Sequence, residues 1–184
     1  MSGVIKGAIA MRTFPGNPAA VCAWMLAAVM CAGRLTALGS GNIDANNKFA
    51  WSENAGWFNF NPTNGGVTVV VERPQWLSGY AWAENIGWVK LGNAAGGPYA
   101  NTATNTWGVN IISGKLTGYA WSETCGWMRF DPTNAPVTLD WPTGTFDGYA
   151  WAENLGWIHF RNGSPAYSVQ TTARLPTGTS LLIR

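Results

Sequence analysis

The feature that most constrains this chain is an internal repeat, because a fixed period dictates architecture before any single residue does. Four segments align: FAWSENAGWFNF from Phe49, YAWAENIGWVKL from Tyr80, YAWSETCGWMRF from Tyr119 and YAWAENLGWIHF from Tyr149. Their first tryptophans, Trp51, Trp82, Trp121 and Trp151, are spaced by 31, 39 and 30 residues. Ahead of three copies runs an alternating apolar stretch (GVTVVVERPQWLSG, WGVNIISGKLTG, APVTLDWPTGTFDG), which adds a strand. Asn61-Pro62-Thr63-Asn64 and Asp131-Pro132-Thr133-Asn134 follow the first and third copies as Asx-Pro turns, marking those copies as partners in a duplicated pair.

Each unit therefore reads as a three-stranded antiparallel meander. Helical periodicity is absent after residue 40, and 23 Gly and 12 Trp in a chain only 11% charged make a β composition. The predicted fold is all-β, four tandem three-stranded repeats closed into a propeller, prism or barrel. The alternative is an open β-solenoid or fibre-like stack. The strands after Tyr167, an alternating stretch and then Thr177 to Ile183, are expected to close the structure against the first unit and hide an edge.

Glu-Asn-x-Gly-Trp suits a hairpin loop with glycine in the left-handed position, which assigns Gly56, Gly87, Gly126 and Gly156 to structural turns. With Asn54, Ala55 and Gly56 as a three-residue loop, Glu53 would face Trp57, Ser52 would face Phe58 and Trp51 would face Asn59. One hairpin face then carries Ala50, Ser52, Phe58 and Phe60 with their counterparts, a packed interior. The other carries an aromatic ladder of Trp51, Trp57, Tyr80, Trp82, Trp88, Tyr119, Trp121, Trp127, Tyr149, Trp151 and Trp157, beside Asn59, Lys90, Arg129 and His159. Asparagine, lysine, arginine and histidine at one repeat position imply water. The ladder is either a second packing layer between units or an exposed aromatic platform for sugars or a partner protein.

Residues 1–39 read as a signal peptide or N-terminal hydrophobic segment: a basic, acid-free start, an apolar run from Ala19 to Gly33, then small residues around Ala37, Gly39 and Ser40. The run is shorter than the roughly 20 residues a spanning helix needs, which favours cleavage over an anchor. Export to the periplasm, cell surface or medium follows, with residues 40–184 as one Trp-rich β-repeat domain. Three of the eleven cations lie in the leader, so the remainder is close to neutral and lacks the basic field that nucleic acid or anionic membranes require. Membrane contact would need the N-terminal segment to be retained. Cys22 and Cys31 fall in that segment, leaving Cys125 alone in the body.

Catalytic chemistry finds little support. His159 is the only histidine and takes the outward polar position, expected to be solvated, so nucleophile systems have no second base and zinc spacings are missing. Glu53, Glu84, Glu123 and Glu153 recur at one hairpin corner, which fits bonds to turn amides or an indole N–H better than a glycosidase pair. Cys125 replaces Ala55, Ile86 and Leu155 in the loop and is expected to act as a small hydrophobe, with a link between subunits as the other option. No catalytic residue, metal site or cofactor is expected.

The Gly-Tyr-Ala-Trp-Ser/Ala-Glu-Asn-x-Gly-Trp-x-x-Phe units resemble a repeat found in many secreted bacterial proteins of uncharacterised role, over most of residues 49 to 162. The resemblance implies an exported, cell-surface or periplasmic location and brings no catalytic residues. The expectation is a non-enzymatic structural or interaction protein that docks onto other subunits, itself or an assembly partner, through aromatic faces. A carbohydrate-binding module using exposed tryptophan is the alternative, and a glycoside hydrolase ranks last.

Overall fold

The computed structural model describes residues 41–176. The expected leader, with Cys22 and Cys31, and the expected final strand from Thr177 lie outside that range. The described chain is all-β, with β1 (Ile43–Ser52), β2 (Gly56–Asn59), β3 (Gly66–Val70), β4 (Gln75–Ala83), β5 (Gly87–Lys90), β6 (Val109–Ile112) and β7 (Lys115–Ser122) in its first half. β8 (Gly126–Arg129), β9 (Thr138–Asp140), β10 (Thr145–Asp147), β11 (Tyr149–Ala152), β12 (Gly156–His159), β13 (Arg161–Gly163) and β14 (Ala166–Thr171) complete it.

Each repeat motif forms one hairpin: β1–β2, β4–β5, β7–β8 and β11–β12. Neighbouring hairpins pair through β2–β4, β5–β7, β8–β11 and β12–β1, which closes an eight-stranded antiparallel barrel. Every one of these four seams steps the register by two residues, giving a shear of eight. A barrel of that size has an interior just wide enough for side chains to fill.

Below the hairpins the barrel continues. The long strands β1, β4 and β7 run straight down, and β10 continues β11, while β3, β6, β9 and β14 take over the columns that β2, β5, β8 and β12 vacate. At each changeover one backbone bond joins the upper course to the long strand and another joins it to the lower course. Phe60 N donates to Lys48 O at 2.8 Å while Val67 N donates to Phe60 O at 2.9 Å, and the pattern recurs at Leu91 with Val109, Phe130 with Val137 and Phe160 with Val169. The chain leaves the wall between the two courses, so loops of different length project outward there.

Closure is made by β14, which pairs with β1 and supplies the first unit with the strand its own short lead-in lacks. The expected closure is therefore present and the open stack is excluded. On the other side of β1, the Asn42 side chain mimics a strand: its Nδ2 donates to Val69 O at 2.8 Å and its Oδ1 accepts from Val69 N at 2.7 Å.

All sixteen residues expected inside are buried, from Ala50, Ser52, Phe58 and Phe60 through Ala150, Ala152, Ile158 and Phe160. Small residues oppose large ones across each hairpin, Ala50 against Phe58, Ala81 against Val89, Ala120 against Met128 and Ala150 against Ile158. At mid-height Phe160 packs against Phe60, Phe130 and Phe146, with centroids 5.2, 5.7 and 6.4 Å away. The loop residues Ala55, Cys125 and Leu155 are buried and cover the upper end, with Ile86 partly buried beside them.

The hairpin register corrects one expectation. Trp51 faces Trp57, not Asn59, and Ser52 faces Gly56, so Glu53, Asn54 and Ala55 make the loop while Gly56 joins the ladder at φ 71°. The shift is by two residues, and with a side-chain period of two every residue keeps its face. What the observed register adds is a direct contact between the two indoles of each hairpin.

Candidate functional site

The barrel is full, so what it offers a ligand is its outer surface. Two indoles face each other across each hairpin in edge-to-face contact: Trp51–Trp57, Trp82–Trp88, Trp121–Trp127 and Trp151–Trp157, with centroids 4.8, 5.0, 4.6 and 4.8 Å apart. Phe49, Tyr80, Tyr119 and Tyr149 flank the second indole at 5.8–6.1 Å. Alternation puts all of these outside because their neighbours Ala50, Ala81, Ala120 and Ala150 point in. The result is an aromatic belt around the upper course, in which Tyr80, Trp82, Trp88, Tyr119, Trp127, Trp151 and Trp157 are exposed, Trp157 by 47%.

Every seam sets a polar side chain opposite the first tryptophan of the next hairpin: Asn59 with Trp82, Lys90 with Trp121, Arg129 with Trp151 and His159 with Trp51. Inside its own hairpin the same residue faces the tyrosine or phenylalanine, as Lys90 faces Tyr80 and Asn59 faces Phe49. The belt is thus interrupted at four places by side chains of different charge.

The outward loops decorate this belt unequally. After the first hairpin the loop is short and packs beside Trp88, close enough that a Cβ on Gly65 would lie 2.9 Å from that ring. After the second hairpin a long excursion is pinned by Tyr99, whose hydroxyl donates to Leu77 O at 2.9 Å and whose ring fills the space beside Gly92 and Gly108. It carries Trp107 onto Trp127 at 5.3 Å. After the fourth, the β13–β14 hairpin lays Tyr167 on Trp57 at 5.2 Å. Asx-Pro turns after copies one and three, and aromatic arms after two and four, give the belt the two-by-two pairing that the turns foretold.

Three surface grooves result. One of about 410 Å³ lies between Trp107, Tyr119 and Trp127. A second, about 520 Å³, lies at the first seam between Phe49, Trp57, Asn59, Trp82, Glu84 and Tyr167. The third, about 490 Å³, lies at the closing seam and includes Trp51, Glu53, Tyr149, Trp151, Trp157 and His159.

The four expected turn glycines all have positive φ: 71° at Gly56, 77° at Gly87, 79° at Gly126 and 81° at Gly156. The turn glutamates behave less uniformly. Glu84 accepts from the Trp57 backbone N–H of the preceding hairpin at 3.3 Å, Glu123 accepts from the Trp121 indole at 3.3 Å, and Glu53 and Glu153 stand exposed. The uniform turn bond belongs instead to the next residue, whose role the sequence reading did not assign. Asn54 Nδ2 donates to Leu155 O at 2.8 Å, Thr124 Oγ1 to Ile86 O at 2.9 Å, Asn154 Nδ2 to Cys125 O at 3.1 Å, and the Asn85 backbone N–H to Ala55 O at 3.3 Å. Each hairpin tip thus bonds to the tip before it, and the four bonds form a ring around the barrel mouth. The recurrence of Asn, with a hydroxyl at Thr124, was the available signal.

His159 is outward as expected but is not freely solvated. Its ring stacks flat on Tyr149, 4.2 Å away, and its Nδ1 is 3.0 Å from the Tyr167 hydroxyl. Burial pushes its pKa below the usual value, with the nearby Asp147 charge opposing in part, and burial likewise raises that of Tyr167. Cys125 is buried, and burial lifts its thiol pKa, so it serves as the small hydrophobe expected of its position. Asp131 is paired with Arg129 at 3.0 Å, and no cluster of three His, Cys, Asp or Glu side chains suits a metal among the described residues.

Comparison with family models, with curated proteins and with solved structures gives no match. The chemistry of the belt and its seams alone carries the functional reading.

Proposed function

We propose that this chain is a non-enzymatic, exported structural or interaction protein, a subunit or accessory component of a cell-surface or periplasmic assembly, which docks onto other protein chains through its aromatic belt. The observation that supports this most is the exposure of seven tyrosines and tryptophans around a barrel whose interior is filled. Large aromatics half in water are enriched where proteins meet, because a ring that buries about 150–250 Å² when fully covered still has a third or more of it to bury on contact and keeps a polar edge for hydrogen bonding. Low charge lets such surfaces approach.

The decisive measurement is site-specific photo-crosslinking in the exporting host. A crosslinker in place of Trp157 or Trp88 is expected to capture a discrete protein partner, whereas one in place of the exposed Thr138 on the lower course is expected to capture none. Equal labelling from both courses would remove the belt as the docking surface.

A carbohydrate-binding role is the second reading, favoured by the closing-seam groove, where a carboxylate and an imidazole stand among tryptophans. Against it, a sugar stacks on an open ring face, and in every hairpin pair one indole face is already covered by its partner's edge. Saturable protection of the indoles from acrylamide by a glycan panel would favour this reading over docking.

A further inference from the structure

Three of the four seams carry their own base, and each base is engaged. Lys90 Nζ lies 5.8 Å from the Tyr80 ring centre and 5.9 Å from that of Trp107. Arg129 Nε pairs with Asp131 at 3.0 Å. His159 sits between Tyr149 and Tyr167. The first seam departs from its sisters at both members of one cross-strand pair: the others set Tyr80 against Lys90, Tyr119 against Arg129 and Tyr149 against His159, and the first sets Phe49 against Asn59.

Asn59 turns back on its own loop, where its Oδ1 accepts from the Asn61 N–H at 2.9 Å. What is left is the groove of about 520 Å³, walled by Phe49, Trp57, Trp82 and Tyr167 with the Glu84 carboxylate on it. It has an aromatic surface and an acid and no base in its lining, the Lys48 ammonium standing 5.5 Å from the Phe49 ring centre but not among the residues that line the groove.

The lining selects the chemistry of an occupant. Aromatic faces attract a cation through the ring quadrupole, and a carboxylate beside them adds a charge-assisted hydrogen bond. A guanidinium satisfies both at once, since it is planar for stacking and forked for bidentate contact. A purely apolar group would desolvate the Glu84 charge with only the 3.3 Å bond from the Trp57 N–H to offset the loss of water, and an anion would be repelled by it. We infer that the groove between the first and second hairpins is the receptor for an arginine side chain of a partner protein, which fills from outside the place that Lys90 fills from within one seam further on. This rests on the docking reading and names the partner's chemistry.

The test uses the full chain, with the indole N–H signals of Trp57 and Trp82 followed by NMR during titration with acetyl-Gly-Arg-Gly-amide. The probes set against it are the uncharged citrulline analogue, choline chloride and cellohexaose. The arginine peptide is expected to shift both signals saturably and to bind at least about tenfold more tightly than its citrulline analogue. Asn59→Lys, which installs the residue of the second copy, and Glu84→Gln are each expected to weaken it about tenfold or more, with Thr138→Ala leaving it unchanged. Equal binding of citrulline, no saturable shift, or an Asn59→Lys variant that binds as before would overturn the inference. Tighter choline binding would reassign the groove to quaternary ammonium groups, and cellohexaose acting on the same signals would reassign it to sugars, either of which also overturns it. Crosslinking from Trp157, on a different hairpin, judges the docking reading independently of this outcome.

Discussion

The side-chain amide of Asn54 donates to the carbonyl of Leu155 at 2.8 Å, which ties the first repeat hairpin to the fourth across the closing seam. One hydrogen bond joining residues so distant in sequence acts as a latch on closure, because local chain connectivity cannot hold the two tips together. Asn54→Ala and Asn154→Ala are each expected to cost about 1 kcal/mol, since the acceptor carbonyl loses its partner in a partly buried place. Urea unfolding measures this, and a midpoint unchanged in both variants would show that the ring carries no stability.

Gly118 sits where β7 passes from the lower to the upper course, at φ 95°, with a Cβ there placed 2.2 Å from Gly108 O. Both the conformation and the contact reject a side chain, so Gly118→Ala is expected to lose more than about 2 kcal/mol. Gly163→Ala, where nothing lies within 4 Å, is expected to stay near zero. Thermal unfolding of the two variants side by side decides the point.

Ser52 Oγ is the one fully buried side-chain polar atom without a hydrogen-bond partner among the described residues. Ala83 and Ala152 hold the same position in two sister copies, so the fold accepts a methyl there. Ser52→Ala is expected to be neutral to stabilising by up to about 1 kcal/mol, because it removes a desolvated hydroxyl and opens almost no space. A clear loss in calorimetry would mean that the hydroxyl is satisfied in solution.

Burial between Tyr149 and Tyr167 lowers the His159 pKa from 6.5, so the folded chain binds that proton less readily than the unfolded one. The unfolded state then carries more protons just below pH 6.5, and stability falls as pH drops through that value towards the lower folded pKa. His159→Asn, the residue of the first copy, is expected to flatten this limb. Denaturant midpoints between pH 7.5 and about 5 for the two proteins measure this, and a native midpoint that rises as pH falls would mean that the folded chain holds the proton more tightly.

Phe160 meets three other phenylalanines at mid-barrel. Phe160→Ala is expected to cost about 3–5 kcal/mol, by lost burial and the cavity left in a filled interior. Phe60→Leu, which copies Leu91 at the same level, is expected to cost less than about 1.5 kcal/mol. Similar losses in both would argue that mid-barrel packing tolerates any apolar side chain.

The strict alternation around Ala50 and Phe58 made the inside and outside of each hairpin legible before any coordinates, because a period of two leaves only one face free of charge. The recurrence of Gly56 and its counterparts likewise fixed the turn, since few other residues take that backbone angle. The register differs by two residues from the expected one because both pairings preserve those faces and differ only in whether Trp51 meets Trp57, a contact energy that pattern does not encode.

What the repeat alone determined is four β-hairpins with aliphatic interiors and aromatic exteriors, a consequence of side-chain period and turn chemistry acting within a dozen residues. Tertiary structure decided the rest: that four seams of two residues close eight strands around a filled core, that β14 supplies the strand β1 lacks, and that Tyr167 and Trp107 arrive on the belt from loops far along the chain. It also decided which seam becomes an aromatic groove lined by an acid and no base, for Asn59 acquires that meaning only when Glu84 and Tyr167 are brought beside it. Local sequence specifies strands and faces, whereas closure and grooves are set by distant segments competing for the same surface.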